Sequence, residues 1–547
     1  MRKRSLWKKI AAVVLAAVMT ASLAACGGES SQQAAAGSEA ESAADDSQSA
    51  GAEEQDGGEQ AEDTGEPVEI SIAIWNADAA FAGDDVLSQI EEKLNIKITP
   101  VNVTWDDYLQ KIPLWASSGS LPDVFIGDFR NSVNYPQWAE QGVIKAIPED
   151  LSAYPNLEEY LSGQAAQDAK LNGTLYCLPR QTYPSQEWTC TDRLIVYRWD
   201  LAQKAGITEE PQNWEEFQEM ILAIIEADPD GTGIGGMTAS DKNLVSGMIM
   251  PYASPVACDN GVSFKWVETE DGTWEPAYFA EDMIPGFQLA RDMYDSGVIE
   301  KDIALVTGQT AQEKFLQGKS AAIIISGGYG NLYNNVSRYW SDVHGTEYTD
   351  DVKALDLMPG VNGEKAYPMW GYAWSESYIN ANVSDEKLDK ILALWDYLLS
   401  DEGSFLSLYG PEGELYDLVD GNVELHDASA VITDTYPSTE ALGILARWNP
   451  STYDSRFVSA YPKEYDEVNA ELVAQAEEVT IPEYNQRCTQ LVMELGLDFA
   501  VNFNDDFLNI MTGTQPVEEM WAETVAGYEA DGLQDVITQV NEALAAE

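Results

Sequence analysis

The chain has 547 residues, with 30 Lys and Arg against 93 Asp and Glu, a formal net charge of −63. A field of that sign repels phosphate backbones and argues against nucleic acid as a partner; it also disfavours a polyanionic ligand, except where one pocket defies the global field. Two histidines and five cysteines, with no CxxC and no metal-ligand spacing, argue against a zinc centre.

Arg2, Lys3, Arg4, Lys8 and Lys9 precede the apolar run Ile10 to Met19, and small residues lead to Cys26. A basic start, a short apolar stretch and small residues read as a secretory signal over 1–25. The run falls well short of the ~20 residues that span a bilayer. Leu23-Ala24-Ala25-Cys26 resembles the bacterial lipoprotein signal, which implies cleavage before Cys26 and lipid on its sulfur; the alternative is an ordinary signal with a chance cysteine. Acyl chains at ~0.8 kcal/mol per buried CH₂ would hold the protein on a membrane without a span. Residues 26–66 follow. Beyond Cys26 they are Ala, Gly, Ser, Gln, Asp, Glu and the like, with no aromatic, Lys or Arg. Such a stretch cannot bury enough surface to fold and reads as a disordered, self-repelling tether.

Residues 67–547 are too many for one core and suit two or three domains. Val68, Ile70, Ile72 and Ile74 alternate as a strand with Trp75 and Asn76 at its end. Asp84 caps a helix with Val86, Leu87, Ile90 and Leu94 on one face. A strand over Ile96 to Val103, a helix near Trp105 to Ala116 and the strand "DVFIGD" complete a β-α-β-α-β run, which predicts a parallel sheet. Ligands of open α/β sheets bind beyond the carboxyl ends of strands, which points at Trp75, Asn76 and Asp128. Asp128 has the alternative of capping a helix.

A second unit begins after Tyr183. "TDRLIVYRWDLAQKAG" predicts strand, turn and short helix. "PQNWEEFQEMILAIIEADPDG" predicts a helix opened by Asn213 and Glu216 at capping-box spacing, with Trp214, Phe217, Ile221, Ile224 and Ile225 inward. "QEKFLQGKSAAIIISGGYGN" reads as helix, turn, buried strand and glycine-rich loop. "DVKALDLMPGVNGEKAYPMWGYAWSESYIN" holds two strands, "SDEKLDKILALWDYLLSDEG" a capped helix, and the tail from Asp466 is mostly helical. Outside the cytosol Cys177, Cys190, Cys258 and Cys488 allow three pairings, and proximity favours Cys177–Cys190.

The phrases "SSGSLPDVFIGD", "NGTLYCLPR", "LIVYRWDLAQKAG", "PQNWEEFQEM", "FLQGKSAAIIISGGY", "FLNIMTGTQPVEEMW" and "VNEALAAE" occur in this order, and together the chain resembles extracellular solute-binding proteins of bacterial ABC importers, the large lipid-anchored carbohydrate binders of Gram-positive bacteria. The likeness implies an α/β, two-lobe periplasmic-binding-protein-like fold with a hinge and an interlobe cleft. With crossings near 185, 331 and 378, the lobes become 67–185 with 332–378 and 186–331 with 379–547. It further implies hinge closure on an oligosaccharide, delivery to the transmembrane subunits of an ABC permease, a monomer tethered through Cys26 to the extracellular face of the cell membrane, and no catalytic residue. No cofactor is required.

Trp and Tyr number 16 and 26 against 13 Phe. Polar-tipped rings suit sugars, whose apolar face stacks while carboxylates and amides take the hydroxyls. Burying ~50 Å² of sugar face at ~25 cal/mol/Å² gives about 1 kcal/mol per stack. Most tryptophans are nonetheless core, Trp214 and Trp395 among them. Tyr183, Glu187 and Trp188 are candidates at the first crossing, Trp370 and Trp374 around "GYA", and Tyr329 where the resemblance places a ligand-facing aromatic; Trp370 has the alternative of packing against the hinge. Asp228, Asp230 and Thr232 in "DPDGTG" start like a calcium loop, and the resemblance would make this a structural Ca²⁺ site, although the later acids are missing and a plain glycine turn is the alternative. Gly231, Gly233 and Gly236 match GxGxxG but follow a helix, which argues against a nucleotide site. The other functional readings are a peptide or small-solute binding lipoprotein or sensor, and a glycoside hydrolase using two cleft carboxylates.

Overall fold

The computed structural model describes residues 65–547 apart from 106, 258–264, 280–282, 370, 372, 428–430, 448–449, 453, 459–461, 481, 498 and 500. The signal, Cys26 and nearly all of the acidic tether therefore lie outside the described residues. The strands are β1 (Val68–Trp75), β2 (Ile96–Val103), β3 (Val124–Gly127), β4 (Leu178–Gln181), β5 (Arg193–Arg198), β6 (Gly235–Thr238), β7 (Trp266–Glu268), β8 (Trp274–Pro276), β9 (Ser320–Ser326), β10 (Val352–Ala354), β11 (Ala373–Ile379), β12 (Tyr416–Val419) and β13 (Asn422–Leu425).

They form two mixed sheets and two hairpins. The first sheet has the order β2-β1-β3-β11-β4 and the second β10-β5-β9-β6. The expected parallel unit is present: β1 runs parallel to both β2 and β3, with Ile72 opposite Val124. β11 then enters antiparallel between β3 and β4. In the second sheet β5 lies antiparallel to β10 and β9, and β6 parallel to β9. β7 pairs with β8, and β12 with β13.

Helix ends follow the capping chemistry of the sequence. Asp84 accepts from the Leu87 amide, Asn213 from Glu216 and Ser384 from Lys387, each satisfying a first-turn N–H that has no helical partner. Glu216 turns back one residue further than a capping box requires, to the Gln212 amide. The helix Asp385–Leu399 buries Ile391, Leu394, Trp395 and Leu398, one stripe at helical spacing. That stripe joins Ile72, Phe125 and Tyr378 in the core of the first sheet. The helix Trp214–Ala227 sends Phe217, Ile221 and Ile224 into a different core with Val196, Ile323 and Ile324.

The chain passes between the cores at places that differ from two of the expected crossings. The first lies between β4 and β5. The second lies between β10 and β11 rather than near 331, because Val352 to Ala354 zip onto β5. The third follows the helix Ser438–Ala446 rather than residue 378: Leu442 and Leu445 still pack in the first core, and Tyr465 and Leu472 already in the second. An amphipathic helix leaving β11 covers its own sheet before the chain departs.

Two further expectations change. Cys177 and Cys190 do not pair; each is a buried free thiol, Cys177 in the first core and Cys190 in the second. Cys488 is free as well, and Cys258 lies outside the described residues. The glycine-rich stretch after β9 is not an open loop, since Gly327 is left-handed (φ 75°) and starts the helix Gly328–Asn335 at once. Among the described residues no helix is long and apolar enough to cross a membrane.

Candidate ligand-binding site

β1 and β2 are parallel neighbours that end level, Trp75 opposite Val103. Trp105, two residues further on, therefore lies over Trp75: their ring centroids are 4.2 Å apart and their planes 5° from parallel. Trp374 joins as a third near-parallel indole, 5.8 Å from Trp75 and 5.6 Å from Trp105. Tyr108 closes the group edge-on at 5.1 Å from Trp75. Trp75 is only 2% exposed, and its Nε1–H is buried without a hydrogen-bond partner. Trp105 is 50% exposed and offers the open face of the stack.

Trp374 reaches this place through a bulge. In the pairing of β11 with β4, Ala373 faces Gln181 and Glu376 faces Pro179, so Trp374 and Ser375 together oppose Arg180. The extra residue forces Ser375 to φ 59°, a conformation that favours glycine, and bulges of this kind re-aim side chains. Arg180 holds the bulge. Its guanidinium donates to Ser375 Oγ at 2.6 Å, to the Trp374 carbonyl at 3.2 Å and to the Ile444 carbonyl at 2.7 Å, and it lies 4.9 Å from the Trp374 ring. Burial pushes its pKa down to about 9.

Asp128 follows Gly127, where an added Cβ would sit 2.1 Å from Phe129 Cε2, so the turn out of β3 needs glycine. Its charge acts on Tyr108, Arg130, Arg180 and Glu376. Glu376 is buried behind this rim. Its Oε2 accepts from the Tyr378 hydroxyl at 2.7 Å and from the Phe129 and Arg130 amides, and its Oε1 lies 3.4 Å from Arg130 Nε. Burial pushes its pKa up to about 7, with Arg130 opposing and Asp128 adding to the rise.

A cavity of about 330 Å³ is lined by chain neighbours of the rim, Ala373 before Trp374 and Arg130 after Phe129, and not by the stacked rings themselves. One wall comes from segments of the first core, including Arg130, Tyr135, Lys170 and Ala373; the other comes from Lys265, Tyr484 and the helix Gln486–Glu494, with Gln186 of the first crossing between them. The volume falls at the small end of ligand sites. A second cavity beside Trp214 and Leu355, about 40 Å³, is lined almost wholly by second-core residues and is too small for a sugar.

The expected ligand residues separate into groups. Trp75, Trp374 and Asp128 meet at the rim. Asn76 is the left-handed residue (φ 56°) that turns the chain out of β1; it is exposed, and its side chain bonds Glu440, whose carboxyl burial raises. Tyr183, Glu187 and Trp188 sit at the first crossing: the Tyr183 hydroxyl donates to Asp192 at 2.7 Å, Ser185 donates to Glu187 at 2.5 Å, and Trp188 packs half-buried on the second core. Tyr329 is 5% exposed and stacks on Tyr465 at 4.4 Å inside that core. Trp370 lies outside the described residues.

The oxygens of the calcium-like stretch are used by the protein itself. Asp228 caps its own loop, accepting from the Thr232, Gly233 and Ile234 amides. Asp230 pairs with Lys204 at 3.1 Å, and Thr232 donates to the Gly318 carbonyl. Among the described residues no group of three His, Cys, Asp or Glu side chains is placed to hold a metal.

Sequence reasoning passed over Trp105, Arg180, Arg130, Lys170 and Lys265. For Trp105 a usable signal existed, because it follows the second strand of a parallel pair as Trp75 ends the first.

Residues 76–404 match the bacterial extracellular solute-binding protein family. The chain belongs to that family. Solute-binding proteins of this family bind and do not catalyse, in keeping with a site built of stacked rings. Lipoprotein LipO of Bacillus subtilis (strain 168) is 22% identical over 335 residues, 59% of this chain and 62% of that protein. The chain spans about three fifths of the length of the curated relatives it matches. Among solved structures, alginate-binding protein AlgQ2 without calcium ion superposes with a TM-score of 0.65 at 15% identity, over 88% of this chain and 98% of the other. The ABC-transporter substrate-binding protein FusA of S. pneumoniae in complex with kestose gives 0.64 at 16% identity, over 87% and 98%. These likenesses show the fold, an α/β architecture of two mixed sheets shared with periplasmic-binding-protein structures.

Proposed function

We propose that this solute-binding protein is the lipid-anchored substrate-binding subunit of an ABC importer and captures an oligosaccharide between its two cores. The lobes are then residues 67–182 with 373–446, built on the first core, and residues 190–369 with 465–547, built on the second core and a smaller cluster around Trp266, Cys488 and Val540. The hinge is the three connections between them. A ligand touching both walls of the cavity stabilises the closed state more than the open one, and the closed form docks on the permease. Cys26 carries the lipid that keeps the protein at the outer face of the membrane. LipO, named a lipoprotein, and FusA, solved with kestose, support the anchor and the ligand class.

One observation carries this reading: the half-exposed Trp105 face, stacked with Trp75 and Trp374, together with a cavity walled by the first core on one side and, on the other, by Tyr484 of the second core and the helix Gln486–Glu494, which packs with Trp266 in a smaller third cluster. A bare indole platform backed by two more suits a sugar ring better than a peptide. Titration of the soluble chain with tri- to hexasaccharides, followed by tryptophan fluorescence and melting temperature, tests it. At least one saccharide should shift both signals. A response to peptides alone would falsify the ligand class.

A further inference from the structure

The molecule carries 63 more acids than bases, yet the cavity between the cores is lined by Arg130, Lys170 and Lys265 against Asp168 and Glu494. Glu494 is already engaged, its two oxygens taking Arg487 Nη1 and Nη2 at 2.9 and 2.8 Å. Asp168 accepts from Gln164 at 2.7 Å. Lys170, half-buried, has no carboxylate within ion-pair reach among the described residues. Lys265 is 5% exposed; its ammonium donates to the Met369 carbonyl at 2.6 Å and lies 5.6 Å from the Tyr484 ring.

Arg130 is the most informative of the three. Its side chain is 11% exposed, and its Nε–H is buried without a hydrogen-bond partner although Glu376 lies 3.4 Å away. The carboxylate holds the guanidinium charged but also accepts from the Tyr378 hydroxyl and two backbone amides, and leaves the Nε–H without a hydrogen bond. A desolvated guanidinium presents a fork that fits a planar carboxylate, and walls of low dielectric strengthen that pairing. A neutral sugar needs hydroxyl partners, for which amides and carboxylates suffice. Three cations from separate parts of the chain thus face one cavity in a protein this acidic, Arg130 with Glu376 and Asp128 behind it and Lys170 with no carboxylate of its own among the described residues.

We infer that the cavity receives the carboxylate of an acidic sugar, so that the oligosaccharide taken by this protein contains uronic acid residues. The inference rests on the oligosaccharide reading above and deepens it. Rings of such a ligand stack at Trp105 while a carboxylate enters between Arg130, Lys170 and Lys265.

The test uses oligogalacturonates, oligomannuronates and oligoglucuronates, each against its methyl ester, with malto-, cello- and fructo-oligosaccharides as neutral series. One acidic series should bind about tenfold tighter than its ester and weaken as salt rises from about 50 to 500 mM. Lys170→Gln should lower the acid-to-ester preference about fivefold and flatten the salt dependence. Binding of neutral series with no acidic series overturns the inference and leaves the oligosaccharide reading standing. Binding of no saccharide of either kind sinks that reading and this inference together. An unchanged preference and salt slope in Lys170→Gln shows that the carboxylate is held elsewhere, and overturns the site.

Discussion

Two strand ends of this protein share one local design and reach opposite ends. β1 finishes at Trp75 and turns on a left-handed Asn76; β9 finishes at Ser326 and turns on left-handed Gly327 and Gly328 before Tyr329. Both put an aromatic where a chain leaves a buried strand. Trp75 becomes the floor of a stack whose top is half open to solvent, whereas Tyr329 disappears against Tyr465. The helix that succeeds each strand makes the difference. After β1 comes a short turn of helix, Ala77–Ala80, and the rim stays open; after β9 comes the helix Gly328–Asn335, whose inner side carries Tyr329 and Leu332 into the second core. An aromatic at a strand end marks a site only when the next element leaves it uncovered.

The largest expected effect breaks the comparison from the buried side. Tyr329→Ala should lower stability by about 3–5 kcal/mol, as truncating a large core aromatic does, and leave saccharide affinity intact in the folded fraction. Chemical denaturation gives the first quantity and fluorescence titration the second; a loss of affinity without a loss of stability would return Tyr329 to the ligand.

Next comes the charge buried behind the rim, which the Tyr329 stack lacks. Glu376 has a folded pKa of about 7 against an ordinary 4.5, so the folded state holds its proton over that interval and the unfolded state does not. Stability therefore falls as pH rises through this window, by about 3 kcal/mol if the shift is fully expressed. Glu376→Gln should remove that part of the pH dependence, and parallel slopes in the two proteins between these pH values would show that the carboxyl is ionised in the fold.

Smaller effects sharpen the rim itself. Trp374→Ala removes one indole and the ring beneath Arg180, and should weaken binding of whichever oligosaccharide the screen yields by about tenfold. Trp105→Ala, at an exposed position, should weaken it about fivefold, the equivalent of one ~1 kcal/mol stack, with a melting temperature close to that of the parent. If Trp105→Ala loses stability and keeps affinity, the open face is packing and not a platform.

Local signals made much of the fold legible. Asp84, Asn213 and Ser384 cap the helices they announce, and alternation in Val68 to Ile74 gives β1 and its parallel partners. Of the residues in the proposed site, Trp75 and Asp128 come from the strand-end rule and Trp374 from bracketing "GYA" with Trp370 ahead of a strand. What escaped is non-local. Arg180 holds the bulge beneath Trp374 through the carbonyl of Ile444, 264 residues away, and no spacing rule links them. Arg130, Lys170 and Lys265 become one island only when separate segments face each other. The crossings misplaced near 331 and 378 have the same origin, since whether Val352 to Ala354 extends one sheet or the other depends on a partner edge and not on its own residues.

The position of β11 bears on how the chain is made. It fills the slot between β3 and β4, yet the whole second sheet is synthesised before it. Until Ile379 has emerged, β3 and β4 both stand with unpaired edges, the kind of surface that recruits stray strands. The half begun first is thus finished late. A fragment ending before Ala373 would yield an aggregation-prone remnant and no independent first lobe.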